Sequence, residues 1–167
     1  MPVNIEIKAH CHDPENLSRI LLAHGADYKG HDHQVDTYFK VQEGRLKLRE
    51  GNIENNLIYY KRNDQAGPKR SDVILHPSGK DDSIKNILSE VLGVKVIVDK
   101  QRDIYFIDNV KFHIDNVKGL GNFVEIEAIG EEGEDSEMGR QCKHFMEVLH
   151  IKTEDLIVDS YSDLLLK

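Results

Sequence analysis

Charged side chains of one sign recur at every second residue in several short stretches of the chain. Side chains at i and i+2 of a β-strand share a face, so Asn4, Glu6 and Lys8 stand together. Arg45, Lys47 and Arg49 do the same, with Leu46 and Leu48 opposite. Further sets are Tyr59 with Lys61, Lys100 with Arg102, Lys111 with His113 and Asp115, and Glu125 with Glu127. Carboxylates lie toward the two ends of the chain and cations in the middle. Arg and Lys offer charge-assisted hydrogen bonds to phosphate, and grouped carboxylates offer oxygen ligands to a hard divalent cation. The competing interpretation is a plain half-buried sheet whose charged faces look at water. Clustering by sign weighs against it, because like charges opposite one another on neighbouring strands repel.

The 167 residues suit one domain with a real core, read as a single unit over 1–167. Hydrophobic residues make up 39% and charged residues 31%, as in soluble globular proteins. The net charge of −8 argues against a general nucleic-acid binder. Its distribution is uneven: residues 40–70 hold eight basic and four acidic residues, whereas 119–167 hold twelve acidic and four basic. Such asymmetry is expected where one part of the chain meets an anion and another a cation. Charges begin at the N-terminus without an apolar stretch, no run approaches a membrane span, and Cys11 and Cys142 are too few for a disulfide framework. The expectation is a reduced, cytoplasmic protein without a membrane partner.

The ladders need strands to carry them. Alternation predicts strands over 3–10, 34–40, 45–50, 56–63, 70–76, 94–107, 110–117 and 122–129. Helices are predicted over 13–25, opened by Asp13-Pro14 and stopped by Gly25, and over 81–92, 136–149 and 160–166, with Glu131 to Glu137 a loop. The turn at Gly119-Leu120-Gly121 leads into a strand, so it is no phosphate loop. About eight strands with hairpin-scale links give an α+β fold built on a closed eight-stranded antiparallel β-barrel or tunnel, with helices packed outside.

Several runs resemble a known family. They are Asn4-Ile5-Glu6-Ile7-Lys8, Asp36-Thr37-Tyr38-Phe39, Gly44-Arg45-Leu46-Lys47-Leu48-Arg49-Glu50, and Leu57-Ile58-Tyr59-Tyr60-Lys61-Arg62. Gly67-Pro68-Lys69-Arg70-Ser71, Phe112-His113-Ile114-Asp115 and Gly119-Leu120-Gly121-Asn122-Phe123-Val124-Glu125-Ile126-Glu127 complete the series. Together they resemble the CYTH superfamily, the triphosphate tunnel metalloenzymes, in its branch of class IV adenylate cyclases. The resemblance runs through nearly the whole chain.

That resemblance implies a Mg²⁺- or Mn²⁺-dependent enzyme. Glu6, Glu125 and Glu127 are then the metal ligands, with Asp115 a fourth carboxylate, and Lys8 joins the three glutamates as catalytic. Lys8, Lys47, Arg49, Lys61, Lys100 and Arg102 match the phosphate-binding cations. The substrate would be a nucleotide or another organic or inorganic triphosphate, with ATP converted to cyclic AMP and pyrophosphate. The alternatives are an inorganic or thiamine triphosphatase and a non-catalytic binding module. Asn4 departs from the pattern, standing where the signature has its first glutamate, so one carboxylate is missing. A homodimer is compatible with all of this. The His10/His12 and His31/His33 pairs are read as solvated, Ser71 as a loop residue, the cysteines as structural, and Arg62 and Lys69 as surface charges, since Arg62 alternates with Lys61. No general base stands out.

Overall fold

The computed structural model describes residues 2–62 and 67–167. Strand β1 (Pro2–His10) buries Val3, Ile5, Ile7 and Ala9 on one side and turns Asn4, Glu6 and Lys8 to the other. Helix α1 (Pro14–Ala23) starts where the Asp13 carboxylate accepts the Asn16 amide at 3.1 Å, and Gly25, at φ 80°, turns the chain out of it. Strands β2 (Asp27–Phe39), β3 (Arg45–Glu50), β4 (Asn56–Arg62) and β5 (Lys69–Pro77) come next. The strand predicted over 56–63 ends at Asn63, which lies outside the described residues.

Helix α2 (Ser83–Leu92) precedes β6 (Val94–Ile107), β7 (Val110–Val117) and β8 (Gly121–Glu131). Helix α3 (Asp135–Val148), a 3₁₀ turn at Thr153–Asp155 and helix α4 (Tyr161–Leu166) close the chain. The 3₁₀ turn has no counterpart in the sequence prediction, and the predicted loop after β8 shrinks because strand and helix both extend into it. The largest departure is β2, which begins seven residues earlier than the predicted residue 34. Asp27 to His33 lack apolar alternation, but they pair with β6 from Phe106 back to Gln101, and that partner sets their conformation.

The eight strands pair antiparallel in the order β1-β5-β4-β3-β2-β6-β7-β8, and β8 returns to β1, so the sheet closes in a ring without free edges. The outer faces of β1, β7 and β8 form the core with α1 and α3: Ile7, Phe112 and Ile126 meet Leu17, Leu21, Met138 and Cys142. Each such side chain contributes roughly 1.5–3 kcal/mol by leaving water. Helix α2 has no fully buried residue. Helix α4 differs from the expectation of a helix lying outside. Its capping box, Ser160 with Asp163, aims Tyr161 inward, where it joins Tyr38, Val98, Val117 and Phe123 across one end of the ring.

Candidate functional site

The inner faces surround a cavity of about 820 Å³, counted with the space open at its mouth. Of the residues singled out from sequence, Glu6, Lys8, Lys47, Arg49, Lys100, Arg102, Glu125 and Glu127 line it. Asp115 and Lys61 do not.

One wall, from β2, β3 and β6, is organised around Asp36. Its carboxylate accepts Arg49 Nε and Nη2 at 2.9 Å each and Lys100 Nζ at 2.7 Å, with Lys47 Nζ at 3.4 Å. Burial opposes ionisation of Asp36, but Arg49, Lys100 and Lys47 outweigh it and hold the carboxyl well below its usual range. The same burial, with Arg102, Arg49 and Lys47 nearby, outweighs Asp36 and pushes Lys100 down to about 7. Three close cations therefore do not require a bound polyanion. An internal carboxylate, unremarked among the sequence candidates, already sits among them.

The facing wall comes from β1, β7 and β8. Glu6 lies opposite Glu127 and Lys8 opposite Glu125 in the β1–β8 register. Glu125 accepts Arg102 Nη2 at 2.7 Å; burial disfavours its charge, yet Lys8 and Arg102 hold it well below the usual range. Glu127 behaves the other way. Burial raises its pKa, and Glu6 and Glu125 add to the rise against Lys111. Its described hydrogen-bond partner is Asn4 Nδ2, at 2.7 Å. Lys8, its Nζ 3.8 Å from the Tyr161 ring centre, is pushed down to about 8 by burial despite Glu125 and Glu6.

Four sequence assignments change. Asp115 is spent on Arg102, accepting Nε and Nη2 at 2.7 Å each, and also takes the Tyr161 hydroxyl at 2.7 Å. It therefore fixes Arg102 from the same inner face of the sheet, beside Tyr161. Lys61 points outward to exposed Glu43 at 3.0 Å. Arg62, read as a surface charge, faces the cavity instead and pairs with Glu6. On β4 both faces carry apolar residues, so alternation could not say whether Ile58 and Tyr60 or Leu57 and Tyr59 face in; the ring selects the former. Lys69 is also buried, donating to the Val158 carbonyl at 2.7 Å, and ties β5 to the segment before α4.

Glu54 was missed for another reason: it lies in a turn. The buried Asp32 carboxylate accepts the amides of Asn52, Ile53 and Glu54 at 2.6–3.0 Å and fixes that turn over the mouth. A Cβ on Gly51 would stand 2.7 Å from Asp32 Oδ1, so only glycine allows the approach. Glu54 then enters the cavity and pairs with Arg49 and Lys111. Lys111 and His113 were noted on their strand without being assigned a role, and both line the cavity. The His113 ring is 2% exposed, and Glu125 Oε1 stands 3.9 Å from its Nδ1. Burial and the Arg102 charge push it down to about 4, so the ring is neutral at pH 7.

The histidine pairs lie outside the cavity. His31 meets Asp103 and Gln101, His33 meets Asp99 and His12 meets Asp155, all at 2.7–2.9 Å. Cys11 and Cys142 are free and buried. Among the described residues no three His, Cys, Asp or Glu side chains converge closely enough to hold a metal ion. The donors nonetheless suit a hard cation in kind: Glu6, Glu125 and Glu127 place carboxylate oxygens on adjacent strands, Glu6 opposite Glu127.

Comparison with known proteins follows the same lines. The CYTH domain profile matches residues 3–161. A protein of Methanocaldococcus jannaschii, named as a candidate adenylate cyclase, is 25% identical over 174 aligned positions, with 97% of this chain and 98% of that protein covered. A Pyrococcus horikoshii protein of solved structure matches with a TM-score of 0.82 at 24% identity, over 96% of this chain and 98% of its own. A Hippeastrum protein matches with a TM-score of 0.62 at 14% identity, over 99% and 94%. It is described as a candidate adenylyl cyclase with a dominant triphosphatase activity. The two structural likenesses are likenesses of fold. No helix among the described residues is long and apolar enough to cross a membrane.

Proposed function

The chain belongs to the CYTH domain family, and from that premise we propose that its tunnel binds a triphosphate and that the protein is a metal-dependent adenylate cyclase. The supporting observation is the charge of the lining. Among the described residues seven cations and four carboxylates line the cavity, Asp36 and Asp115 act as further counter-ions to Arg49, Lys100 and Arg102, and Arg62 keeps Nε and Nη2 buried without an acceptor. A ligand rich in acceptor oxygens satisfies both.

Lys47, Arg49, Lys100, Arg102 and Arg62 would hold the phosphates. Lys100 and Lys8, whose charge is weakened by burial, would be fully protonated once a polyanion lies beside them. Glu6, Glu125 and Glu127 would hold Mg²⁺ or Mn²⁺, with the Asn4 side-chain oxygen within the same cluster, after Arg62 and Arg102 turn from carboxylate to phosphate. When bound, such an ion polarises phosphoryl oxygens and acidifies the attacking hydroxyl. In the reaction the ribose 3′-hydroxyl would lose its proton to water, its oxygen would bond to the α-phosphorus, the bond to the β-phosphate would break, and pyrophosphate would leave with the electron pair. The residues of this chain contribute by alignment and by fixed charge around the leaving group.

Hydrolysis is the second reading, favoured by the activity named for the Hippeastrum protein. Incubation with ATP, tripolyphosphate and thiamine triphosphate in Mg²⁺ or Mn²⁺, followed by product chromatography, separates the readings. Cyclic AMP with pyrophosphate is the expected product. Orthophosphate from tripolyphosphate would make the protein a hydrolase, and tight binding of a triphosphate without turnover would make it a binding module.

A further inference from the structure

We propose that Arg49 and Lys111 form a phosphate subsite that Glu54 fills in the free protein, so that this carboxylate is the tunnel's own competitor and sets how tightly a phosphate chain is held. The inference rests on the triphosphate reading above and adds a residue that controls the same site.

The Glu54 carboxylate is held as a bound anion would be. Its Oε1 accepts Gln34 Nε2 at 2.9 Å and Arg49 Nη1 at 3.3 Å, and its Oε2 accepts Lys111 Nζ. Two cations and an amide are equally a donor set for the oxygens of a phosphate. The turn that delivers Glu54 is pinned by other groups. Asp32 accepts the amides of Asn52, Ile53 and Glu54, and the Asn55 side chain closes on Gly51 N and O at 3.1 and 3.0 Å. The Glu54 side chain can therefore rotate away without dissolving the turn.

For these two cations to serve a ligand, Glu54 has to yield. Arg49 has all three guanidinium nitrogens engaged, Nε and Nη2 by Asp36 and Nη1 by Glu54. Lys111 is paired with Glu54 as well. Asp36 is 1% exposed and is not part of the cavity surface, whereas Glu54 is 18% exposed and lines it. Of the two counter-ions of Arg49, Glu54 is the one a ligand meets. A phosphate chain brings more charge and more acceptor oxygens than one carboxylate, so the exchange is favourable, but the broken ion pairs reduce the net gain. A short anion has another place to settle: Lys47 and Arg62 both stand over the Tyr60 ring, 5.3 and 5.7 Å from its centre. The competition therefore falls mainly on longer chains, which reach beyond that pair to Arg49 and Lys111.

Titration calorimetry with tripolyphosphate and pyrophosphate, in EDTA and again in Mg²⁺, tests this on the native chain and two variants. Glu54→Gln keeps the shape and removes the charge, and should bind tripolyphosphate about tenfold more tightly, the weight of one hydrogen bond to a charged group. The gain for pyrophosphate should be smaller. Glu54→Asp keeps the charge but withdraws it by one methylene, and should show part of the tripolyphosphate gain. Unchanged or weaker binding by Glu54→Gln overturns the proposal: Glu54 would then hold Arg49 and Lys111 in place for the ligand, and the triphosphate reading would stand. A gain in Glu54→Gln with none in Glu54→Asp, or an equal gain for both anions, also overturns it, since the general field of the lost charge would suffice. If tripolyphosphate binds none of the three chains in either buffer, the triphosphate reading falls and the subsite falls with it.

Discussion

The two walls of the tunnel each turn a carboxylate inward, Asp36 buried and Glu127 half-buried, and the two are in opposite electrostatic states. Asp36 sits among Arg49, Lys100 and Lys47 and is stabilised as an anion. Glu127 has an amide as its hydrogen-bond partner, and burial, with Glu6 and Glu125 adding to it, disfavours its anion. One wall is therefore complete in the free protein and the other is not. Buried charge is tolerated where partners are supplied, and its ionised form is disfavoured where they are few.

Isosteric removal of each charge puts the contrast to its strongest test. Asp36→Asn leaves three cations around a neutral amide and should cost about 3–5 kcal/mol of stability, the range for breaking a buried ion pair. Glu127→Gln removes a disfavoured charge, so stability near neutral pH should hold or rise while turnover is lost. Urea denaturation of both variants reads the difference; equal destabilisation would erase the distinction between the walls.

Ligand binding gives the next largest effect. Lys47→Ala and Arg62→Ala should each weaken tripolyphosphate binding by about 1.5–3 kcal/mol, as for hydrogen bonds to charged groups. Lys61→Ala, on the outer face, should leave binding unchanged. A loss at Lys61 with none at Arg62 would restore the strand parity read from sequence.

A smaller effect appears with pH. Lys100 and Lys8 have folded pKa values of about 7 and about 8, below the ordinary 10.5. Between those values and 10.5 the unfolded chain binds more protons than the folded one. Stability from these sites therefore rises with pH across the window from about 7 to 10.5, by at most ~1.4 kcal/mol per pH unit for each lysine. Lys100→Met should flatten the rise from pH 7 upward and Lys8→Met from pH 8 upward. Denaturation at a series of pH values checks this, and an unchanged slope in both variants would contradict the burial argument.

The smallest change concerns Asn4. Asn4→Glu adds a fourth carboxylate beside Glu6, Glu125 and Glu127 and should lower the metal concentration needed for half-maximal activity. If the requirement rises instead, the carboxylate wall is not the metal site.

Alternation alone could identify β1 and β8, because Val3 to Ala9 and Val124 to Ala128 separate apolar from charged side chains without ambiguity. It could also name most of the charged lining, since a residue's face on such a strand is a local property with period two. That logic stops where both faces are apolar, as on β4: Arg62 and Lys61 exchange sides according to which face the closed ring turns inward. It stops again where a residue's conformation is set by a distant partner. Asp27 to His33 become strand only through β6, and Glu54 reaches the cavity only because Asp32, some twenty positions earlier, grips its turn. Whether a carboxylate binds a ligand or a neighbour is likewise a matter of distance in space. Asp115 looks like a candidate ligand in one dimension and becomes a counter-ion once Arg102 is brought against it, while Asp36, unremarked in the sequence, becomes the counter-ion of Arg49 and Lys100. Sequence determined which charges this protein carries and, on its clearest strands, the face they share; closure of the sheet decided which of them are paired, because Coulomb energy depends on separation and burial that only the folded chain defines.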